Sequence, residues 1–108
     1  MNGSFEIREY TEAGRSPFAE WFDGLDAVTA ARVDRYIRRL EAGNFGAAKL
    51  VREGVFELRL DFGPGYRVYY GREGRTIIIL LGGGSKRRQD SDIAAAVQRW
   101  KRYKQTRP

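Results

Sequence analysis

Residues 55–84 read VFELRLDFGPGYRVYYGREGRTIIILLGGG, and the fold class follows from this pattern. Apolar residues at 56, 58, 60 and 62 alternate with charged ones, which predicts a strand with one core face and one wet face. Gly63-Pro64-Gly65 is a strong turn signal, because proline presets φ and glycine accepts positive φ. A second strand is expected from Tyr66 to Gly71, and the aliphatic run 77–81 predicts a third, buried on both faces. These strands form an antiparallel meander.

Upstream of the meander, the sequence predicts one strand and one short helix. Phe5 and Ile7 alternate with polar residues, so this segment is expected to be a strand that joins the edge of the meander. Ser16 as N-cap and Pro17 at the first helical position are a favourable helix start. Gly24 is expected to end this helix.

A longer helix is predicted next, from the N-cap Asp26 to Leu40, with Gly43 as its stop. Apolar residues at 30, 33, 37 and 40 mark one face of it. Arginines at 32, 35, 38 and 39 lie mostly off that face, as a solvated surface or as a docking surface for RNA or a partner. Residues 44–52, which carry Lys49, are expected to connect this helix to the meander.

Downstream, Gly82 to Gly84 are expected to end the third strand, either as a simple turn into a loop or as a nest of backbone N–H groups for phosphate. A C-terminal helix should follow, capped by Asp90, Ser91 or Asp92, and the basic tail 101–108 should fray. The core face of that helix is predicted to carry Ile93, Val97 and Trp100. The order of strand, two helices, three-stranded meander and helix predicts a single α+β domain over residues 1–108 with an antiparallel sheet.

The composition excludes several kinds of chemistry. The 108 residues are enough for one domain, and 42% of them are hydrophobic, enough for one core. No cysteine and no histidine occur, which excludes disulfide scaffolds, thiolate zinc sites and histidine-based catalytic triads. No metal and no cofactor is expected. Any catalysis must use Asp, Glu, Lys, Arg, Tyr or Ser.

The charge balance favours an anionic partner. Twenty Lys and Arg face 14 Asp and Glu, a formal charge of +6, and arginine forks suit phosphate and carboxylate. A merely soluble basic surface is the alternative. The start of the chain has no apolar signal core, and the run 77–81 is too short to cross a bilayer. A cytoplasmic location without a membrane partner is expected.

Basic residues are expected to gather on the meander, since neighbouring antiparallel strands bring side chains together. The residues concerned are Arg59 on the first strand, Arg67 and Tyr69 on one face of the second, and Lys86, Arg87 and Arg88 after the third. A shift of one residue in register would change which of them share a face. Clustered cations repel one another unless an anion lies among them, and RNA cleavage needs fixed donors around the phosphate. Outward-facing strand residues in ordinary ion pairs are the alternative.

The proton acceptor for such a reaction is open. Without histidine, it would be a lysine made more acidic by neighbouring arginines, or a carboxylate near Asp90. Tyr69 could stack on a base, although aromatic residues in strands are more often packing residues.

Three segments resemble the addiction-module killer-protein branch of the RelE/ParE superfamily, and the phage Gp49-like toxins in particular. They are residues 54–60, GVFELRL, residues 63–70, GPGYRVYY, and residues 79–86, ILLGGGSK; the later QDSDI at 89–93 fits the same pattern. The resemblance spans nearly the whole chain. It implies a compact sheet flanked by helices, and it leads us to expect a toxin that acts together with a cognate antitoxin, commonly a helix-turn-helix DNA-binding protein.

The resemblance also implies an activity and a site. Many members cut messenger RNA on the ribosome, and in RelE-like members basic strand residues surround the scissile phosphate. Arg59 falls where such a member places a strand lysine, Arg67 matches its arginine in Gly-Tyr-Arg, and Lys86 with Arg87 matches its Gly-Lys-Arg. Glu57 stands where a second lysine is found, and the late tyrosine has no counterpart, since Asp92 or Ile93 falls there.

The leading hypothesis is a ribosome-dependent mRNA endonuclease toxin with Arg59, Arg67 and Lys86 as catalytic residues. Lys49, Tyr69, Arg87 and Arg88 are the predicted RNA- or phosphate-binding residues. The Arg67→Ala variant is expected to lose toxicity without unfolding. The alternatives are a ParE-like toxin that inhibits a DNA topoisomerase by binding, and a non-catalytic binding module that acts only through its antitoxin complex.

Overall fold

The computed structural model describes residues 4–106. They form one mixed five-stranded sheet with helices on both faces, which confirms the predicted α+β class. In chain order the elements are β1 (Glu6–Glu9), α1 (Pro17–Asp23), α2 (Ala27–Glu41), β2 (Ala48–Arg52), β3 (Val55–Arg59), β4 (Arg67–Glu73), β5 (Ile77–Gly84), a 3₁₀ turn (Lys86–Arg88) and α3 (Gln89–Thr106).

The strands lie in the order β1-β5-β4-β3-β2. Strands β2 to β5 are antiparallel neighbours in sequence order, and β1 joins the free edge of β5 as a parallel strand. The expected edge position of the first strand is therefore confirmed, but the sheet is mixed rather than wholly antiparallel. The chain between β1 and β5 makes this possible, since parallel strands need a long connection.

The meander has four strands, and the prediction of a connecting segment over residues 44–52 was wrong. Residues 48–52 form β2, which pairs with β3 from Ala48 opposite Leu58 to Arg52 opposite Val55. Its side chains are mostly exposed, as expected of an edge strand, so they carry little hydrophobic periodicity. Glu53 and Gly54 both have positive φ and turn the chain into β3.

Local signals position α1 and α2 as predicted. The Ser16 hydroxyl accepts a hydrogen bond from the Ala19 N–H, and Asp26 accepts one from the Thr29 N–H. At the end of α2, Gly43 has a φ of +87°, and the N–H groups of Gly43 and Asn44 bond the carbonyls of Leu40 and Arg39. This is the glycine-terminated stop that the sequence predicts.

The core has two parts, one on each face of the sheet. Helices α1 and α2 cover one face, with Val33, Ile37 and Leu40 packed on Leu58 and Val68. Helix α3 covers the other face, where its core-facing residues meet the odd-numbered residues of β3 and β4. The predicted wet face of β3 is therefore buried beneath α3 at Val55 and Glu57 and exposed at Arg59, so the buried charge of Glu57 needs an internal partner.

Three predictions about the end of the chain need correction. Strand β5 continues through Gly82 to Gly84, which pair with β4, so these glycines form neither a turn nor a phosphate nest. The 3₁₀ turn leads directly into α3, so Asp90, Ser91 and Asp92 lie inside its first turns rather than capping it. Residues 101–106 are helical rather than frayed, and residues 107–108 lie outside the described part of the chain.

Candidate functional site

A cleft opens at one end of the sheet, beside the turn between β3 and β4. It has a volume of about 410 Å³, and Arg59, Arg67 and Lys86 all line it together with Asp61. Arg59 ends β3 and stands directly opposite Arg67, which begins β4. Gly84 stands opposite Arg67 on β5, two residues before Lys86. The structure thus brings together the three basic residues that the sequence singled out.

Glycine in the turn lets the basic groups approach one another. Gly65 has a φ of +76°, and a Cβ atom there would lie 2.9 Å from Arg67 Nη1 and 3.2 Å from Lys86 Cβ. The Lys86 N–H also donates a hydrogen bond to the Pro64 carbonyl at 3.4 Å, which ties the end of β5 to this turn. The Gly-Pro-Gly turn therefore serves as one wall of the cleft as well as a chain reversal.

The three cations are in different environments. Arg67 is only 4% exposed, whereas Arg59 and Lys86 are exposed to solvent. Arg67 Nη1 donates to the Gly65 carbonyl, and Arg67 Nε lies 3.6 Å from Glu57 Oε2. The same carboxylate oxygen accepts a hydrogen bond of 2.7 Å from Gln89 Nε2. Arg67 is therefore a buried cation with an internal counter-ion, and Arg59 and Lys86 are the accessible ones.

A buried polar layer extends from this ion pair beneath the start of α3. Tyr69 is 1% exposed, and burial together with the negative charges of Glu57 and Asp92 raises the pKa of its hydroxyl. Burial also raises the pKa of Asp92, although the positive charges of Arg88 and Arg99 oppose this. Because its ring packs in the core under α3, Tyr69 offers no face on which a base could stack, and the predicted RNA-binding role does not fit its position.

The other predicted RNA-binding residues lie around the cleft rather than in it. Arg87 and Arg88 are exposed on the 3₁₀ turn, and together with Lys86 they line a surface depression of about 380 Å³. Lys49 is exposed on β2, opposite Glu57. The accessible positive groups thus extend from the cleft along the 3₁₀ turn on one side, while Lys49 stands on the edge strand on the other.

Two residues of the site were not predicted from the sequence in the roles that the structure gives them. Asp61 lines the cleft, and Glu57 is the buried counter-ion of Arg67. Both occupy the polar positions of the alternating segment 55–62 that also carries Arg59. The alternation indicates that Asp61 lies on the same face as Arg59, which is a signal for its place in the cleft. The burial of Glu57 follows from the packing of α3, which the alternation does not reveal.

Within residues 4–106, no cluster of three or more acidic residues could hold a metal ion. In that same part of the chain, no helix combines the length and the apolar character needed to cross a membrane. The groups available for chemistry in the cleft are therefore the basic side chains, Asp61 and the backbone of the turn.

A sheet flanked by helices, with basic residues at one end of its central strands, is compatible with a RelE-like fold. Residues 20–101 match the family described as "Phage derived protein Gp49-like (DUF891)", and the chain belongs to this family of RelE/HigB-like addiction-module killer toxins. It is also similar to a Haemophilus influenzae protein that bears the name "Uncharacterized protein", with 46% identity over 80 residues that cover 73% of this chain and 81% of the relative. Membership implies a toxin of a toxin-antitoxin system, with an antitoxin as its partner.

Proposed function

We propose that this toxin is an mRNA endonuclease that acts on the ribosome and binds the scissile phosphate in the cleft at the β3–β4 turn. The observation that carries the proposal is the convergence of Arg59, Arg67 and Lys86 on that one cleft. Two exposed cations beside a third, buried one create a positive potential that an anion would relieve. Family membership supports a toxin, and the cleft supports an RNA phosphate as its target.

The reaction that fits these groups is attack of the RNA 2′-hydroxyl on the adjacent phosphorus. The attack forms a 2′,3′-cyclic phosphate and breaks the bond to the 5′-oxygen, which takes a proton from water and leaves as a 5′-hydroxyl. Negative charge then develops on the non-bridging oxygens, and Arg59 and Lys86 would stabilise it as fixed donors. Arg67, held by Glu57 and the Gly65 carbonyl, would supply a positively charged floor. Asp61 is the carboxylate in the cleft, and we assign to it the role of accepting the 2′-hydroxyl proton.

Around the cleft, Arg87, Arg88 and Lys49 would contact the phosphates of neighbouring nucleotides. These contacts would set affinity rather than sequence preference, since phosphate contacts carry no base information. In our proposal Tyr69 has a structural role, because it is buried in the core.

The antitoxin that the family implies would bind a basic surface on the helices through complementary charge. Arginines project from α2 at positions 32, 35, 38 and 39, all of them exposed, and α3 adds further basic residues. We propose that an acidic segment of a helix-turn-helix antitoxin binds α2 and α3, since complementary charge speeds association and selects the partner.

Mapping of transcript 5′ ends after induction tests the function. Wild-type protein should create new ends at ribosomal A sites, and Arg59→Ala or Lys86→Ala should reduce the cleavage rate about 100-fold each, the effect of losing one oxyanion donor. Arg75→Ala is a matched control, because Arg75 is an exposed arginine in the turn at the opposite end of β4. Intact transcripts with a DNA-damage response would overturn the proposal in favour of a topoisomerase inhibitor.

A non-catalytic binding module has one observation in its favour, the pairing of Arg67 with Glu57, which partly neutralises a cation that cleavage would use. The same experiment separates it from an endonuclease. Normal growth and intact transcripts on induction without antitoxin would be the result expected of such a module.

A further inference from the structure

A second cleft adjoins the cleft at the β3–β4 turn. It has a volume of about 240 Å³ and lies where the end of α2 and the following loop meet the end of β3. Its walls carry planar side chains, Tyr36, Arg39 and Phe45, beside the amide of Asn44. Buried Leu58 forms part of its lining.

The two clefts lie next to each other at the end of β3. Arg59 and Asp61 line both of them. Strand β2 begins at Ala48, opposite Leu58, so within residues 4–106 no strand pairs with this edge of the chain beyond that point. A ligand group held at Arg59 in the first cleft can therefore extend around this uncovered edge into the second.

The groups in the second cleft suit a nucleobase. The Arg39 guanidinium is exposed and lies with its Cζ 4.8 Å from the centroid of the Tyr36 ring, a planar cation on an aromatic surface. Unpaired bases in RNA are bound by stacking on aromatic rings and guanidinium planes and by hydrogen bonds to their edges. The volume lies below the ~300 Å³ at which pockets for larger organic ligands begin, so it fits a single ring system.

Asn44 supplies the hydrogen-bonding group. Its Oδ1 accepts the Gly46 N–H at 3.2 Å, which fixes the amide in the loop. The Nδ2 group then remains as a donor for an acceptor on the edge of a base. We infer that this cleft is a base-binding subsite, which holds the nucleobase next to the phosphate at Arg59 and gives the cleavage reaction a base preference.

This inference rests on the proposed endonuclease function, so its test must distinguish the two. The experiment is the same mapping of transcript ends, with the base composition counted at each position beside the cut. Wild type should show a preferred base at one fixed position, with an enrichment of about fivefold, equivalent to about 1 kcal/mol. Arg39→Ala and Asn44→Asp should bring that enrichment close to onefold while cuts persist.

Each variant has a matched control. Arg35→Ala removes an exposed arginine from the same helix, one turn earlier, outside the cleft. Gln98→Glu adds a negative charge at an exposed position on α3, as Asn44→Asp does in the loop, where the carboxylate keeps an acceptor for the Gly46 N–H. Thermal unfolding of all four variants verifies that they fold.

The possible results distinguish failure of the base-binding subsite from failure of the endonuclease. Unchanged base preference in both variants, no preference in wild type, or an equal loss in Arg35→Ala would overturn the subsite and leave the endonuclease standing. Absence of new transcript ends in wild type would overturn the endonuclease and the subsite with it. Retained base preference with weakened antitoxin binding in Asn44→Asp would also overturn the subsite, by making the cleft part of the antitoxin interface.

Discussion

At the scale of single residues, the pairing of Glu57 with Arg67 governs what substitutions at the site can show. Both side chains are almost wholly buried, and Gln89 donates to the same carboxylate. Removing one member of a buried pair leaves an unpaired charge in the interior. The sequence predicts that Arg67→Ala leaves the protein folded, but the buried ion pair leads us to expect a less stable protein. Loss of toxicity in that variant would therefore have two causes, the lost charge in the cleft and the lower stability.

A double-mutant cycle tests this pair. We expect Arg67→Met or Glu57→Leu alone to lower the free energy of unfolding by about 3–5 kcal/mol, because each leaves its partner buried without a counter-ion. The double variant should lose much less than the sum, since it leaves no unpaired charge. Urea unfolding of the four proteins gives the coupling energy. Simple additivity would mean that the two side chains do not act as a pair.

The carboxyl group of Asp92 predicts a pH dependence. Burial raises its pKa above the ordinary value of 3.8, against the positive charges of Arg88 and Arg99. A raised pKa means that the folded protein binds this proton more tightly than the unfolded protein does. Protonation of Asp92 therefore favours the folded state. This contribution to stability is complete below about pH 3.8 and is lost as the pH rises through the folded pKa.

Asp92→Asn should therefore be more stable than wild type at pH 7, with the difference shrinking towards pH 3. Free energies of unfolding in urea, measured across this range, would show it. Asp90→Asn, at an exposed position in the first turn of α3, controls for the loss of a negative charge near the helix N-terminus. A difference that stays constant with pH, or has the opposite sign, would contradict the assignment.

At the scale of elements, the end of β5 shows why glycine occurs three times in succession. Each glycine lies where a side chain from a helix packs on the strand: Arg99 at Gly82, Trp21 at Gly83 and Asp92 at Gly84. A Cβ atom at Gly83 would collide with the six-membered ring of Trp21. The glycines are thus contact points for α1 and α3 within a continuous strand.

Gly83→Ala should lower the free energy of unfolding by about 1–3 kcal/mol, the usual cost of overpacking a core. Gly24→Ala is the control, because a Cβ atom there would meet its nearest neighbour at an ordinary 3.5 Å. Combining Gly83→Ala with Trp21→Leu should recover part of the loss relative to Trp21→Leu alone, if the ring is the cause. Equal stability of Gly83→Ala and wild type in urea would show that α1 shifts without cost.

The same elements show how far the sequence predicts this structure. Periodicity and caps identify α1, α2 and the three central strands, because their signals are local. Edge strand β2 was missed because its exposed side chains carry no alternation, and the extent of β5 because glycine reads as a strand end. The pairing of Arg59 with Arg67 matches the expected clustering, whereas the burial of Glu57 depends on α3, which is remote in sequence.

At the scale of the whole molecule, the basic residues that give the net charge of +6 differ in how available they are to bind RNA phosphates. Several arginines form surface ion pairs, such as Arg38 with Asp34 and Glu41, and others lie over aromatic rings, such as Arg32 over Phe62. Arg59 and Lys86, in contrast, are exposed in a shared cleft. Net charge would draw the protein towards RNA from a distance, but only the groups that meet phosphate directly should govern the salt dependence of the complex.

Salt titration separates these contributions. The logarithm of the binding constant for a short single-stranded RNA should fall linearly with the logarithm of salt concentration, with a slope of about −0.7 for each neutralised phosphate. Arg59→Ala and Lys86→Ala should each make that slope shallower by about 0.7, because each removes one phosphate contact. Arg75→Ala, which lowers the net charge by the same amount away from the cleft, should leave the slope unchanged. Fluorescence anisotropy of labelled RNA provides the measurement, and an equal change in all three variants would mean that the RNA responds to total charge rather than to the cleft.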